Sequence, residues 1–243
     1  MTEVFWLEQT AVDMPEGRDW LSAAEFARAQ GLLFARRRAD WLLGRWTAKR
    51  AVAAYWKLPT ACRVLASIEI HAASSGAPQV FRFGQAAAVA ISLSHRAGRA
   101  ACAVAPDGTA LGCDLELIEP RSDAFVADYF TAEEQILVAR TAPAHQPLVA
   151  NLLWSAKESA LKARGVGLRA DTRCVRVRSV ERFWDASDAW CPFEVDYDPQ
   201  IMRGWWQSTG AFLRTLVAVP SPHMPETLFA ESAEEPLLSV AAQ

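Results

Sequence analysis

Gly112-Cys113-Asp114-Leu115-Glu116 lies at the centre of the run from Ala110 to Ile118, in which apolar and polar residues alternate. A period of two predicts a β-strand whose apolar side chains face a core. The carboxylates of Asp114 and Glu116 then share the opposite face, roughly 6.5 Å apart along the strand. Because two carboxylates at that separation can bind one divalent cation, the sequence predicts a strand that carries candidate metal ligands.

A second charged group lies downstream, in Trp154-Ser155-Ala156-Lys157-Glu158-Ser159-Ala160-Leu161-Lys162. Its spacing is helical and places Glu158 and Lys162 on one face, one turn apart. Taken alone, this pair would be an ordinary surface salt bridge that contributes about 0.2–0.5 kcal/mol. If it converges with the two strand carboxylates, the three acids and the ammonium can hold a metal-bound phosphate.

Together, the two motifs resemble the signatures of the 4'-phosphopantetheinyl transferases of the surfactin-synthetase-activating type. Those signatures are G-[IVC]-D-[ILV]-E and, further on, W-x-x-K-E-[AS]-x-x-K. Two upstream segments are also similar to the family: the arginine-rich run Arg36 to Arg45, and Ile91-Ser92-Leu93-Ser94-His95 at a strand end. The resemblance spans about residues 30 to 170, with weaker agreement to residue 219.

The resemblance implies an α+β fold of two similar halves in a pseudo-twofold arrangement, with the active site between them. We expect residues 1–108 to contact coenzyme A, residues 109–220 to carry the metal site, and residues 221–243 to form a loose tail. The amino-acid sequence shows no clear internal repeat. Pro106-Asp107-Gly108 has strong turn chemistry and predicts a hairpin between the strand Arg99–Ala105 and the Asp114 strand.

The resemblance also implies roles for individual residues. Asp114, Glu116 and Glu158 match the ligands of Mg²⁺, with Mn²⁺ as an alternative ion, and Lys162 matches the lysine that neutralises the diphosphate. Glu158 is the base that takes the serine proton, or it orients that base; the sequence does not separate the two roles. The residues expected at coenzyme A are Arg38, Arg45, Ser94, His95 and Lys162.

Three of these assignments have a simpler alternative. Arg38, Arg45 and Lys49 form a basic stripe that would otherwise be the solvated face of an amphipathic helix. A lone histidine such as His95 is more often structural.

The chain departs from the family at one segment. The family often has Gly-Lys-Pro where this chain has Gly76-Ala77-Pro78, so the amine is missing and Arg82 is the candidate to replace its charge.

The implied enzyme is a holo-carrier-protein synthase. It transfers 4'-phosphopantetheine from coenzyme A to a serine of an apo acyl or peptidyl carrier protein and releases adenosine 3',5'-bisphosphate. The family contacts its carrier just after the metal strand, at Arg121 to Thr131, where Phe125, Tyr129 and Phe130 form either a docking surface or part of the core. Two alternatives remain, a non-catalytic binding module of the same fold and a metal-dependent nucleotide phosphohydrolase.

Composition narrows the class of protein. The 243 residues are 51% hydrophobic, with ten Trp and eleven Phe, which is ample for a buried core. A net charge of -3 does not suggest a nucleic-acid partner, and no apolar run reaches the roughly 18 residues of a membrane span. Five cysteines without CxxC spacing, and no visible secretory signal, indicate reduced thiols in the cytoplasm. A chain that already holds two halves is expected to be a monomer.

Overall fold

The computed structural model describes residues 1–178 and 188–228. The helices are α1 (Ala23–Gln30), α2 (Ala35–Tyr55), α3 (Cys62–Ala66), α4 (Asp123–Tyr129), α5 (Ala132–Arg140) and α6 (Gln146–Ala163). The strands are β1 (Phe5–Thr10), β2 (Ile68–Ala72), β3 (Pro78–Arg82), β4 (Gln85–Ala86), β5 (Val89–Arg96), β6 (Arg99–Pro106), β7 (Ala110–Leu117), β8 (Val175–Arg178), β9 (Cys191–Tyr197), β10 (Gln200–Thr209), β11 (Phe212–Val219) and β12 (Glu226–Thr227). Every helix in the described ranges is too short or too polar to cross a bilayer.

The described residues form three sheets, which confirm the predicted α+β class. The first half contains a sheet in the order β12-β1-β6-β5 and a small sheet β2-β3-β4, and the second half contains β7-β11-β10-β9-β8. In each half the first strand pairs antiparallel with the last one, β1 with β6 and β7 with β11. The long helices α2 and α6 pack on these pairs. The halves therefore share one plan.

Each half has its own hydrophobic core, and a third core lies between the halves. This third core contains the apolar face of β7, with Cys113 and Leu115, against Val4 and Trp6 of the first half. Because β7 alternates strictly, burying Leu115 here turns Asp114 and Glu116 towards α6. The packing between the halves thus sets the direction of both carboxylates.

A short repeat relates the two long helices. Trp46-Thr47-Ala48-Lys49 in α2 corresponds to Trp154-Ser155-Ala156-Lys157 in α6, and both lysines are fully buried. Each ammonium binds two backbone carbonyls and one glutamate: Trp20, Leu65 and Glu25 for Lys49, and Thr172, Val175 and Glu134 for Lys157. The chain therefore does contain a short internal repeat, which is not evident from the sequence alone.

The two glutamates extend the repeat to neighbouring elements. Glu25 and Glu134 each occupy the third position of a capping box, at the starts of α1 and α5. Their second carboxylate oxygens accept the backbone N–H of Ile70 and Val177, at the corresponding strands β2 and β8. One buried lysine thus ties a long helix, a short helix and a strand together in each half. The sequence placed Lys49 in a basic stripe that could be solvated. In the structure Lys49 is fully buried and does not belong to such a stripe.

Three further features differ from expectation. The turn at Gly108 forms with a positive φ of 78°, but the predicted hairpin is wrong, because β7 pairs with β11 and β6 stays in the first sheet. Strand β10 was not predicted; Gly204 and two tryptophans interrupt its alternation. The sequence places a loose tail at residues 221–243, whereas Glu226–Thr227 pair in parallel with Phe5 and Trp6 of β1. Residues 229–243 lie outside the described part of the chain.

Gly112 determines how closely α6 approaches β7. A Cβ at this position would lie 1.8 Å from the carbonyl oxygen of Ser159 and 2.6 Å from the amide nitrogen of Ala163. Both contacts are backbone, so we expect Gly112→Ala to push the helix away and to lower the free energy of unfolding by about 1–3 kcal/mol or more. Gly44→Ala is the matched control: a Cβ there meets nothing within 4 Å. It should stabilise α2 by about 0.5–1 kcal/mol. Urea unfolding of both variants tests the contrast, and equal stabilities would contradict it.

Candidate active site

Asp114 lies at the centre of the candidate site and is only 2% exposed. Its carboxylate accepts hydrogen bonds from the hydroxyls of Ser94 and Ser155, each at 2.8 Å, and from the ammonium of Lys162 at 2.7 Å. Burial alone would raise the pKa of Asp114, but the charge and hydrogen bond of Lys162, together with the two hydroxyls, hold this pKa below its ordinary value. Asp114 is therefore a fixed anion shared by both halves.

Behind Asp114, buried hydroxyls connect β7, β11 and α6. Ser155 and Ser159 each share a hydrogen bond with the Thr215 hydroxyl, at 2.8 and 2.7 Å. Thr215 lies directly opposite Asp114 in the β7–β11 pair. These three side chains are fully buried, and their hydrogen bonds hold α6 at a fixed distance from β11.

Glu158 and Lys162 approach Asp114 from α6. Lys162 Nζ lies 3.4 Å from Glu158 Oε2 and also donates to the carbonyl of Cys113 at 3.0 Å. Burial and the neighbouring charge of Asp114 raise the pKa of Glu158 from 4.5 to about 7. Burial alone would lower the pKa of Lys162, but the charges of Asp114 and Glu158 outweigh it and raise this pKa above its ordinary value. The ammonium is thus charged at any physiological pH, whereas Glu158 can take up a proton.

Glu116 is the third carboxylate, at the end of β7. It accepts a hydrogen bond from Trp154 Nε1 at 3.1 Å and lies 3.3 Å from guanidinium nitrogens of Arg96 and Arg121. Burial and the charge of Asp114 raise the pKa of Glu116. Two carboxylates of the site therefore have raised pKa values, first because they are buried and second because of the nearby charge of Asp114.

Three carboxylates are the hard oxygen donors that Mg²⁺ and Mn²⁺ prefer. Two observations favour a cation among them: burial and like charges raise the pKa of Glu116 and Glu158, and the buried Oε2 of Glu116 makes no hydrogen bond. In the part of the chain that the structure describes, however, no three His, Cys, Asp or Glu side chains are grouped closely enough to ligate a metal ion. The donor set fits such a cation in type and charge, and its side chains must reorient to bind it.

The residues expected at coenzyme A divide into two groups. Ser94 reaches Asp114, whereas the neighbouring His95 is exposed and lines a cleft of about 460 Å³. The arginines of this cleft are Arg36 and Arg37, not the predicted Arg38 and Arg45; its other lining residues are Phe34, Asp40 and Trp41. Arg45 stacks on the Trp41 ring at 4.8 Å, and burial lowers its pKa. The start of α2 thus presents a different pair of arginines than we expected.

The turn that lacks the family lysine, Ala73 to Ala77, contacts the second half instead. Arg169, in the one-turn helix that follows α6, donates from Nη2 to the carbonyl of Ser75 at 2.8 Å. Arg82, our candidate for the missing charge, lies over the rings of Trp56 and Phe83. Arg169 is therefore the cation that the structure places at this turn.

The segment after β7 forms helix α4, which we did not predict from the sequence. Phe130 is fully buried in the core of the second half, so core packing was the correct alternative for this residue. Phe125 and Tyr129 pack on the Trp154 ring, each with centroids 5.0 Å apart. Tyr129 is 39% exposed and is the member of this set that can meet a partner.

A comparison with protein-family models gives one match that bears on this site. Residues 110–196 match the 4'-phosphopantetheinyl transferase superfamily. The matched range begins at β7 and includes α6, so it contains Asp114, Glu116, Glu158 and Lys162. No curated protein matches the chain. The superfamily match therefore covers the second half only as far as Asp196, and it includes neither β10 and β11 nor the first half.

The raised pKa of Glu158 predicts how stability depends on pH in the presence of a chelator. Between pH 4.5 and about 7, Glu158 ionises in the unfolded chain but stays protonated in the folded one. The unfolded state then binds fewer protons, so stability falls as the pH rises through this range. We expect Glu158→Gln, which cannot ionise, to remove part of this fall. Urea unfolding at several pH values compares the variant with the parent, and parallel curves would exclude a raised pKa.

Proposed function

We propose that this protein transfers 4'-phosphopantetheine from coenzyme A to a serine of an apo carrier protein and releases adenosine 3',5'-bisphosphate. The observation that carries the proposal is the meeting of two charged pairs in one cluster, Asp114 and Glu116 on β7 with Glu158 and Lys162 on α6. The superfamily match over the same elements supports it. We extend the proposal to the surfactin-synthetase-activating type, because the first half supplies Ser94 and His95.

In this mechanism the serine hydroxyl attacks the β-phosphorus of coenzyme A, and the bond to the bridging diphosphate oxygen breaks. Adenosine 3',5'-bisphosphate leaves with that oxygen, and the serine proton passes to Glu158. Without a cation the pKa of Glu158 is about 7, and a cation bound at this carboxylate would lower the pKa and favour the ionised form that accepts the proton. Phosphoryl transfer otherwise depends on positioning and charge neutralisation.

Lys162 supplies the permanent positive charge beside the diphosphate, and Asp114 holds its ammonium in place at 2.7 Å. Asp114, Glu116 and Glu158 would hold Mg²⁺ or Mn²⁺, which, when bound, neutralises further phosphate charge. Ser94 and His95 are assigned to the coenzyme A phosphates. Arg36 and Arg37, which share the cleft of His95, take the place we had expected for Arg38 and Arg45.

The two alternative functions, phosphohydrolase and binding module, predict different products. A phosphohydrolase would cleave coenzyme A without changing a carrier, and a binding module would leave both molecules intact. The test incubates the protein with an apo carrier, coenzyme A and Mg²⁺, and then weighs the carrier by mass spectrometry. We expect a gain of one phosphopantetheine arm, lost with a chelator and with a carrier whose acceptor serine is alanine. An unchanged carrier beside cleaved coenzyme A would overturn the proposal.

The remaining expectations from the sequence are part of the same proposal. We place the enzyme in the cytoplasm as a monomer that acts on acyl or peptidyl carrier proteins. Tyr129, exposed on α4 next to Trp154, is our candidate contact for the carrier. Because Trp154 donates to Glu116, a carrier on α4 would lie one side chain away from the site.

A further inference from the structure

Two arginines converge on Glu116, one from each half of the molecule. Arg96 ends β5 and Arg121 follows β7, and a nitrogen of each lies 3.3 Å from Glu116 Oε2. Glu119 engages the same pair: it binds Arg96 Nη2 and lies 3.9 Å from Arg121 Nη1. Two carboxylates and two guanidinium groups thus form a closed cluster at the edge of the site.

The contacts to Glu116 are ion pairs without directed hydrogen bonds. Among the described residues, Arg96 Nε, Arg121 Nη2 and Glu116 Oε2 are buried atoms that have no hydrogen-bond partner. Other atoms of both arginines are well anchored, Arg96 by Glu119 and Arg121 by Asn151 Oδ1, to which its Nε donates at 2.8 Å. Each guanidinium is therefore held near the site by one firm bond, while its contact with Glu116 is easy to exchange.

A cation at Glu116 would change this arrangement. The carboxylate that attracts both arginines would be taken by a positive ion, and three positive groups would then share a partly buried space. Repulsion between like charges is stronger in such a partly buried space than in bulk water. A bound diphosphate offers the arginines new anionic partners, and the planar guanidinium matches phosphate oxygens well.

We propose that Arg96 and Arg121 are exchangeable ligands, which pair with Glu116 in the free protein and move to the coenzyme A diphosphate when a divalent cation takes Glu116. The inference depends on the proposed function for the identity of the diphosphate. It predicts that these arginines have opposite effects on the binding of the cation and on the binding of coenzyme A. In the free protein these arginines compete with the cation, whereas in the complex they strengthen the binding of coenzyme A.

Calorimetric titration of the full chain, without any carrier protein, tests both consequences. Mn²⁺ alone is titrated first, and coenzyme A is then titrated in the presence of saturating Mn²⁺. For Arg96→Gln we expect Mn²⁺ to bind about three- to tenfold more tightly, since a competing charge is removed. We expect coenzyme A to bind about tenfold more weakly, since a charge-assisted contact is lost.

Arg99→Gln is the matched control, because Arg99 lies opposite Arg96 in the β5–β6 pair but binds Glu8 instead. It should leave both affinities within about twofold of the parent. Arg121→Gln should shift the two affinities in the same directions as Arg96→Gln. Unfolding of each variant is measured alongside, and Arg96→Gln alone decides the question if Arg121→Gln does not fold.

Weaker or unchanged Mn²⁺ binding by Arg96→Gln would overturn the exchange, and so would unchanged coenzyme A binding or the absence of Mn²⁺ binding in the parent. A purely structural arginine would move both affinities in the same direction or neither. These measurements are separate from catalysis. A protein that shows the opposite shifts but modifies no carrier would keep the exchange and lose the proposed reaction.

Discussion

Lys162→Met is expected to slow transfer by about thirty- to a thousandfold at saturating coenzyme A and carrier. Lys162 is the charged group nearest Asp114, at 2.7 Å, and is 28% exposed. A preorganised charge of this kind contributes roughly 2–4 kcal/mol to the transition state in other enzymes, which corresponds to the stated loss of rate. The measurement is the rate of carrier modification under saturating conditions.

Lys162→Arg is the control that separates position from charge. The planar guanidinium of arginine keeps the positive charge but cannot occupy the place of a compact ammonium. We therefore expect Lys162→Arg to recover only part of the transfer rate. Unfolding curves of both variants show whether loss of rate follows loss of structure. If Lys162 is only the partner of Glu158 in a helical salt bridge, Lys162→Met should keep a rate within about threefold of the parent, since such a pair contributes about 0.2–0.5 kcal/mol.

Lys157→Met is expected to have the largest effect on stability. The substitution leaves Glu134 buried at 3% exposure without its cation, and it also removes the donor for the carbonyls of Thr172 and Val175. Breaking a buried pair in this way costs about 3–5 kcal/mol of the free energy of unfolding. Urea unfolding measures this loss directly.

Lys49→Met provides a matched test in the other half, because Lys49 binds Glu25 and two carbonyls in the same pattern. The two variants should lose similar stability. Adding Glu134→Gln to Lys157→Met should recover part of the loss, since the uncompensated charge disappears. A stable Lys157→Met protein would show that this buried pair does not connect α6 with α5 and β8.

The central strand and the helix that faces it were predictable from local patterns. Strict alternation in β7 indicated which face is apolar and which carries the carboxylates, and the i,i+4 spacing placed Glu158 beside Lys162. Their convergence with Asp114 came from the family resemblance, since nothing local links residues 48 positions apart. The structure supplies the physical link, which is the close contact of α6 with Gly112.

The buried lysines were not predictable by the same reasoning. A lysine in an amphipathic helix is normally assigned to solvent, and the carbonyls that bind Lys49 belong to residues 16 and 29 positions away. The sequence also did not indicate that Arg36 and Arg37, rather than Arg38 and Arg45, line the cleft of His95. α2 is buried on much of its surface, including Leu42, Leu43 and Trp46, so its sequence does not define a single exposed face.

The wrong hairpin has a different cause. Pro106-Asp107-Gly108 has the chemistry of a tight turn, and the turn forms, but turn chemistry does not determine which strands pair. β7 leaves the first sheet because β11, the last strand of its own half, is its antiparallel partner. The repeat of this plan in both halves becomes apparent only when α2 and α6 are compared side by side.

The most direct test of the central claim is the stoichiometry between adenosine 3',5'-bisphosphate released and carrier serines modified in a single turnover. If Asp114, Glu116, Glu158 and Lys162 transfer the arm of coenzyme A, each bisphosphate should appear with one modified serine. A carrier with alanine in place of that serine should then release almost none. Release of the bisphosphate at the same rate with the alanine carrier, or without any carrier, would contradict the account and indicate hydrolysis.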